Sequence, residues 1–255
     1  MKNIRFLYDN WFDDTATTIT VSSEEALFPK ENLQDYRHKE FWQSTGDSSE
    51  WIKWDFGSAK DVKAFVLKFH NFSAGATVKI QANSSDSWTS PPVDETLSIV
   101  SGQMQKMWDS AQSYRWWRLT MEDSGNPDGY LRVGRIFSGS WASPSVNFDW
   151  KRPWSVITKA VSRDSTGGQR VARKLADNKK LWRYRFGFLT ASDVAIIEDV
   201  LEKCGRHKPF FIVEDADDAD NTLYYVWLLN ESSDFEPSDV MHTRFAVSLD
   251  LEEAL

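Results

Sequence analysis

Between Trp51 and Phe69 the chain alternates apolar and polar positions twice. Ile52, Trp54 and Phe56 are separated by Lys53 and Asp55, and Phe65, Leu67 and Phe69 repeat the spacing with Lys68 between them. Period two is the pattern of a strand with one buried face. Gly57 and the polar Ser58-Ala59-Lys60-Asp61 predict a break and a turn, making a hairpin or a neighbouring strand pair inside a β-sandwich. The same alternation recurs at Ile4, Phe6 and Tyr8, at Ile19 and Val21, at Val78 and Ile80, and at Trp117, Leu119 and Met121. Gly125-Asn126-Pro127-Asp128-Gly129 is a turn signal leading into Tyr130, Leu131, Val133 and Ile136. Ala26 to Asp35 is short and interrupted by Pro29, and residues 89–112 read as loop. Short strands with almost no helix predict an all-β sandwich or jelly roll.

The character changes at Ala142-Ser143-Pro144-Ser145, giving expected domains 1–142 and 143–255. Residues 162–180 are polar and basic and predict an extended excursion. Trp182, Tyr184, Phe186 and Phe188 then alternate as a strand. Thr190 with Asp193 three residues on predicts a capped helix start. Val194, Ile197, Leu201 and Cys204 fall on one face of that helix, and Gly205 sits at its C-terminal cap. Pro209 to Val213, Leu223 to Leu229 and Phe245 to Leu251 complete a β domain with one helix, so the whole chain is expected to be mainly β.

Composition narrows the function classes. Of 255 residues, 41% are hydrophobic and 14% aromatic, with 13 Trp and 16 Phe, ample for packed cores. The net charge of −8 argues against a general nucleic-acid binder. A single cysteine, Cys204, excludes an internal disulfide and a Cys-cluster zinc site, and its apolar helical setting predicts a buried thiol. The opening Met-Lys-Asn-Ile-Arg-Phe predicts no secretory signal, hence synthesis and folding in a cytoplasm. No apolar run is long enough for a membrane span.

Catalytic motifs are missing. His38, His70, His207 and His242 have no metal-type spacing, and no phosphate loop or nucleophile elbow occurs, so neither an enzyme nor a cofactor is expected. Gly167-Gly168 reads as a loop tip. The acidic run Glu214 to Asp220 lacks the glycine and distal Glu of a calcium loop and is expected as a solvated hairpin loop. Its charge complements the basic excursion. Arg170, Arg173 and Lys174 of one copy are expected against Asp215, Asp217 and Asp218 of the next, a head-to-tail pairing that closes into a ring.

Two resemblances follow from these residues. Ala26 to Ser44, Trp51 to Gly57, Ile80 to Trp88 and Trp116 to Gly139 resemble, in order, the signature blocks of discoidin (coagulation factor 5/8 C-type) domains. That implies a jelly roll, and in its sugar-binding members a ligand on loops at one end. Tyr36, Arg37, His38, Asn71 and Trp88 are the loop residues that this resemblance would bring together. Leu189 to Asp193, Gly205, Pro209-Phe210 and Phe245 to Glu252 are similar to small domains of phage tail-tip and tail-tube proteins, including distal tail proteins. This second resemblance implies a non-catalytic virion component of the baseplate or tail tip. It would be a sixfold ring joining tail tube to tip, with tube, hub and tip proteins as partners and the jelly roll as a docking or weak glycan-binding module. The alternative is a carbohydrate-binding module or adhesin.

Overall fold

The computed structural model describes residues 2–254 apart from His38, Ser101, Val240 and His242. The chain is mainly β and divides into two compact units. One comprises Leu7–Trp141, the other residues 2–6 together with residues 142–254. Residues 2–6, expected with the first domain, thus group with the second. Phe6 accounts for this: its ring lies 6.3 Å from Phe186 and 6.5 Å from Phe210, inside the core of the second unit.

The Leu7–Trp141 unit contains the latter part of β1 (Arg5–Asn10), then β2 (Thr18–Val21), β3 (Trp42–Gln43), β4 (Glu50–Lys68), β5 (Thr77–Asn83), β6 (Val93–Thr96), β7 (Gln103–Glu122), β8 (Arg132–Val133) and β9 (Arg135–Ala142). The turn expected at Gly57–Asp61 is not a reversal. β4 runs unbroken for 19 residues, and the register against β7 slips between Asp55 and Lys60 and again between Val62 and Ala64. Gly57 adopts φ +75° and donates its N–H to Asp55 Oδ1 at 2.8 Å. Glycine reaches that conformation without a Cβ penalty, so the strand bends through irregularities rather than turning back. Residues 89–112, expected as loop, supply β6 and the first part of β7. The Pro-interrupted segment forms a 3-10 turn at Lys30–Gln34.

The bend makes a sandwich. Glu50–Asp55 pair with Met121–Trp116 in a layer completed by β2, β5 and β6. Ala64–Lys68 pair with Met107–Gln103 and with Gly139–Arg135 in the other layer, where β9 also neighbours β1. Trp54 meets the Phe65 ring at 6.2 Å and the Trp117 ring at 6.5 Å, with Phe12 edge-on at 5.3 Å. Each such buried ring contributes roughly 1.5–3 kcal/mol.

The second unit has β10 (Trp154–Ile157), β11 (Ala160–Asp164), β12 (Arg170–Lys174), β13 (Lys179–Leu189), α1 (Ala191–Lys203), β14 (Phe210–Val213), the short α2 (Ala219–Thr222), β15 (Leu223–Leu228), β16 (Glu236–Pro237) and β17 (Phe245–Glu253). Its sheet runs β10-β13-β17-β15-β14, with β16 on β17. Trp182, Tyr184 and Phe186 point inward opposite Leu251, Leu249 and Val247. A register slip after Phe186 then leaves Phe188 exposed, contrary to the simple alternation. The capping box forms as expected: Thr190 accepts from the Asp193 N–H, and the Asp193 carboxylate accepts from the Thr190 N–H at 2.9 Å. That carboxylate also takes the Ser145 N–H at 2.6 Å and its hydroxyl at 2.8 Å. Burial opposes ionisation of Asp193, but these donors outweigh it and hold its pKa below the ordinary value. Of the expected face, Ile197 and the capping Cys204 are buried, Val194 and Leu201 are half-buried, and Val200 joins the core in their place.

Gly139 sits where no side chain fits: a Cβ there would lie 1.9 Å from the Asp9 carbonyl oxygen. Gly139→Ala is expected to force β9 off its neighbour and cost about 1–3 kcal/mol or more, read as a lowered urea midpoint. An unchanged midpoint would contradict this packing.

Candidate functional site

A set of partly exposed polar and aromatic groups lies around the short β3–β8 pair, in which Trp42 lies opposite Val133 and Gln43 opposite Arg132. Asn71 organises it. Its Nδ2 donates to Asp128 Oδ2 and to the Tyr130 carbonyl, both at 2.9 Å, and its Oδ1 accepts the Arg132 N–H at 2.8 Å. Its own carbonyl accepts from Asn126 Nδ2 at 3.0 Å. Asn126 in turn reaches buried Asp123, whose carboxylate also binds the Ser73 N–H and hydroxyl. The loop after β4 and the Gly125–Gly129 turn are thereby locked together.

Phe69 aims this loop. It is held at φ +64°, uncommon for a bulky residue, with its N–H bonded to the Gly102 carbonyl at 2.8 Å. Gly134 lies beneath it, where a Cβ would come within 2.8 Å of Phe69 Cβ. The next residue, His70, turns inward. Its Nδ1 accepts the Phe72 N–H at 3.2 Å, which assigns the proton to Nε2, 3.1 Å from the Val100 carbonyl oxygen. Burial pulls the His70 pKa below its ordinary value, the Val100 and Gln103 backbone opposes this, and Arg132 adds to the depression.

Arg132 is the group the cluster presents. Its guanidinium lies 5.0 Å from the Phe41 ring centroid and has no hydrogen-bond or ion-pair partner among the described residues. Phe41 stacks on Phe28 at 4.5 Å with the rings 10° apart. Asn71 ties the exposed Asp128 and the backbone of the half-buried Tyr130 to the same loops. An uncommitted guanidinium, a carboxylate and aromatic rings within one loop cluster suit a hydroxyl-rich ligand, whose hydroxyls both donate and accept.

The sequence-nominated residues distribute unevenly. Tyr36 lies under the guanidinium of Arg135, which is 5.0 Å from the ring centroid, and Arg135 is paired in the interior with Asp13. Arg37 is exposed and spent on Asp35 through paired bonds of 3.0 and 2.8 Å, which keep that carboxyl below the usual range. His38 lies outside the described residues. Asn71 is present but fully committed as the clamp. Trp88 is elsewhere: Asn71 precedes β5 and Trp88 follows it, so strand β5 separates them. Trp88 donates to Asp86 at 2.6 Å and carries the Arg118 guanidinium 4.5 Å above its ring. Asp86 accepts from Lys53, which lies about equally close to Trp51 and Trp116. This ladder of rings and cations covers the outer face of the sheet and leaves Trp88 part of the structure. Arg132, Phe41 and Asp128 were absent from the sequence nomination. The turn signal at Gly125–Gly129 was the available clue, since it brings β8 back toward the loop of Asn71.

In the second unit the acidic run is not uniformly solvated. Glu214 is buried, its pKa raised by burial while its ion pair with Arg152 opposes the shift. Asp215 and Asp217 engage Lys2, and Asp218 leads into α2 and accepts from Asn221 at 2.7 Å. Across the basic hairpin, Arg170 bonds Asp164 and Lys174 bonds Asp177, whereas Arg173 has no partner among the described residues. Among the described residues there is no cluster of three or more His, Cys, Asp or Glu suited to a metal, and no helix is long and apolar enough to cross a membrane.

No family model matches the chain. No curated protein matches it either. Solved structures similar to part of it include the CpGH89 CBM32-6 module produced by Clostridium perfringens, 16% identical with TM-score 0.43, covering 51% of this chain and 98% of that one. A Streptococcus pneumoniae fucose-binding module, SpX-3, is 11% identical with TM-score 0.42, covering 52% and 98%. Chitosan-binding module 1 of a Paenibacillus sp. IK-5 chitosanase/glucanase is 20% identical with TM-score 0.40, covering 51% and 98%.

His70 predicts a pH signature. Its folded pKa lies below the unfolded value of 6.5, so its contribution is complete above that value and is lost as pH falls through it, because the unfolded chain takes the proton first. The wild-type sandwich is expected to lose more stability than His70→Gln between about pH 7.5 and about pH 5.5 in chemical denaturation. Equal losses would remove His70 as the cause.

Proposed function

We propose that this chain is a non-catalytic carbohydrate-binding protein whose sandwich recognises a glycan through the Arg132 cluster. Its second unit holds that sandwich in a larger assembly. The observation carrying the reading is the Arg132 guanidinium, 5.0 Å from the Phe41 ring and without a hydrogen-bond or ion-pair partner among the described residues, on a backbone that the Asn71 clamp holds. The discoidin-type blocks in the sequence support it, since sugar-binding members of that family use loops at one end of the sandwich. The preformed clamp would spare the ligand the cost of ordering the loops, leaving stacking and charge-assisted hydrogen bonds to provide affinity.

Glycan-array screening of the intact chain, followed by calorimetry on any ligand found, tests the reading. Arg132→Ala is expected to weaken binding by about tenfold or more, about 1.4 kcal/mol, with the urea midpoint preserved. Failure of the wild-type chain to bind any glycan, or equal binding by the variant, would overturn it.

A second reading places the same chain in a phage or phage-derived tail tip, synthesised in a host cytoplasm and assembled as a ring with tube, hub and tip proteins. One observation favours it. Among the described residues, nine of the ten exposed large apolar side chains belong to the second unit, including Trp150, Trp154, Phe188 and Leu229. Apolar exposure of this kind marks surfaces that are covered in an assembly. Labelling purified particles with antibodies to the chain is expected to mark one end of the tail. Particles without the chain would remove this reading and leave the glycan reading standing.

A further inference from the structure

Arg132 differs from the other arginines of the sandwich. Arg37, Arg115 and Arg135 are paired with Asp35, Asp55 and Asp13. Arg118 spends two donors on Gln81 Oε1, at 2.9 and 2.7 Å. The Arg132 side chain has neither a carboxylate nor an amide oxygen among the described residues, although the residue is half-buried.

A second uncommitted group shares its face. Residues directly opposite in an antiparallel pair project to the same side, with Cβ atoms about 4.5–5.5 Å apart, so Gln43 stands beside Arg132. Burial alternates accordingly: Trp42, Ser44 and Val133 are buried, whereas Phe41, Gln43 and Arg132 are half-buried. The Gln43 backbone is occupied on both sides. Its N–H donates to the Phe28 carbonyl at 3.1 Å, and its carbonyl accepts the Glu25 N–H at 2.9 Å. Its side-chain amide has no hydrogen-bond partner among the described residues. Phe41 carries the guanidinium 5.0 Å from its ring centroid and is itself stacked on Phe28.

We propose that the glycan bound at this site is acidic. Its anionic group, a carboxylate or a sulfate or phosphate ester, takes the Arg132 guanidinium, and a neighbouring hydroxyl takes the Gln43 amide. This deepens the carbohydrate reading and rests on it. A guanidinium presents a rigid fork of N–H donors that matches two oxygens of such a group, and charge-assisted bonds are roughly twice as strong as neutral ones. A neutral sugar that displaced water from Arg132 would leave the cation without a counter-charge. The chain's net charge of −8 opposes an anion at long range. Salt screens that field beyond about 8 Å at physiological ionic strength, so the local cation decides. The Gln43 amide both donates and accepts, which suits a hydroxyl next to the acid.

A glycan array of matched pairs tests the proposal with the intact chain: uronate oligosaccharides against their methyl esters, sialylated against asialo chains, and sulfated or phosphorylated against unmodified ones. Wild type is expected to bind an acidic member about tenfold or more tighter than its neutral partner, and the pair that responds identifies the anionic group. Calorimetry on that pair is expected to show the preference shrinking with added salt. Arg132→Gln should abolish the preference with an unchanged urea midpoint, and Arg132→Lys should keep only a reduced, salt-sensitive part of it. Gln43→Ala is expected to weaken both members several-fold while leaving their ratio in place. Equal binding of acidic and neutral members, still dependent on Arg132, would overturn the acidic class and leave the carbohydrate reading standing. A preference that survives in Arg132→Gln would overturn Arg132 as its receptor. Binding of neither member of any pair would overturn the inference and the carbohydrate reading together.

Discussion

The sandwich depends on two long strands bending at the same place. β4 and β7 remain paired on both sides of the slips near Asp55–Lys60 and Val62–Ala64, so one ladder supplies both layers. Trp54 before the bend can then meet Phe65 after it. Were Gly57 unable to adopt positive φ, the strand would run straight and those rings could not face one another across a core. The loop cluster inherits its geometry from this constraint. The end of β4 delivers Phe69, His70 and Asn71 to the same place that β8 delivers Arg132.

Within the cluster, order comes from polar groups rather than from packing. Asn71 and Asp123 satisfy several backbone donors and acceptors that would otherwise need water in a constrained loop. That commitment explains why the best-placed polar residue is not the one free to act. The clamp uses up Asn71, whereas the Arg132 guanidinium over Phe41 has no hydrogen-bond or ion-pair partner among the described residues.

Much of the architecture was legible in the chain. The alternations at Ile52–Phe56, Trp182–Phe186 and Phe245–Leu251, the Thr190–Asp193 cap and the buried Phe210–Val213 run all correspond to elements at those positions. Gly57 misled because a glycine at positive φ serves a bend as well as a turn, and sequence does not distinguish the two. Phe188 misled because one register slip reverses a strand's faces. The candidate site was half legible. Asn71 was visible as a polar residue following a strand, but its partners come from residues 123–132 and only folding unites them. Trp88 carried the wrong weight because its ring is claimed by Arg118, a residue thirty positions on.

One feature of the chain path bears on how such a molecule could arise. Residues 2–6 and residues 142–254 build one unit, and everything from Leu7 to Trp141 is spliced between them. The sandwich is therefore a guest in a host whose own polypeptide is interrupted once. Recombination that exchanged the guest would need two junctions, at Phe6 and at Ala142, the first of them inside strand β1. Diversification of the guest would then proceed independently of the host.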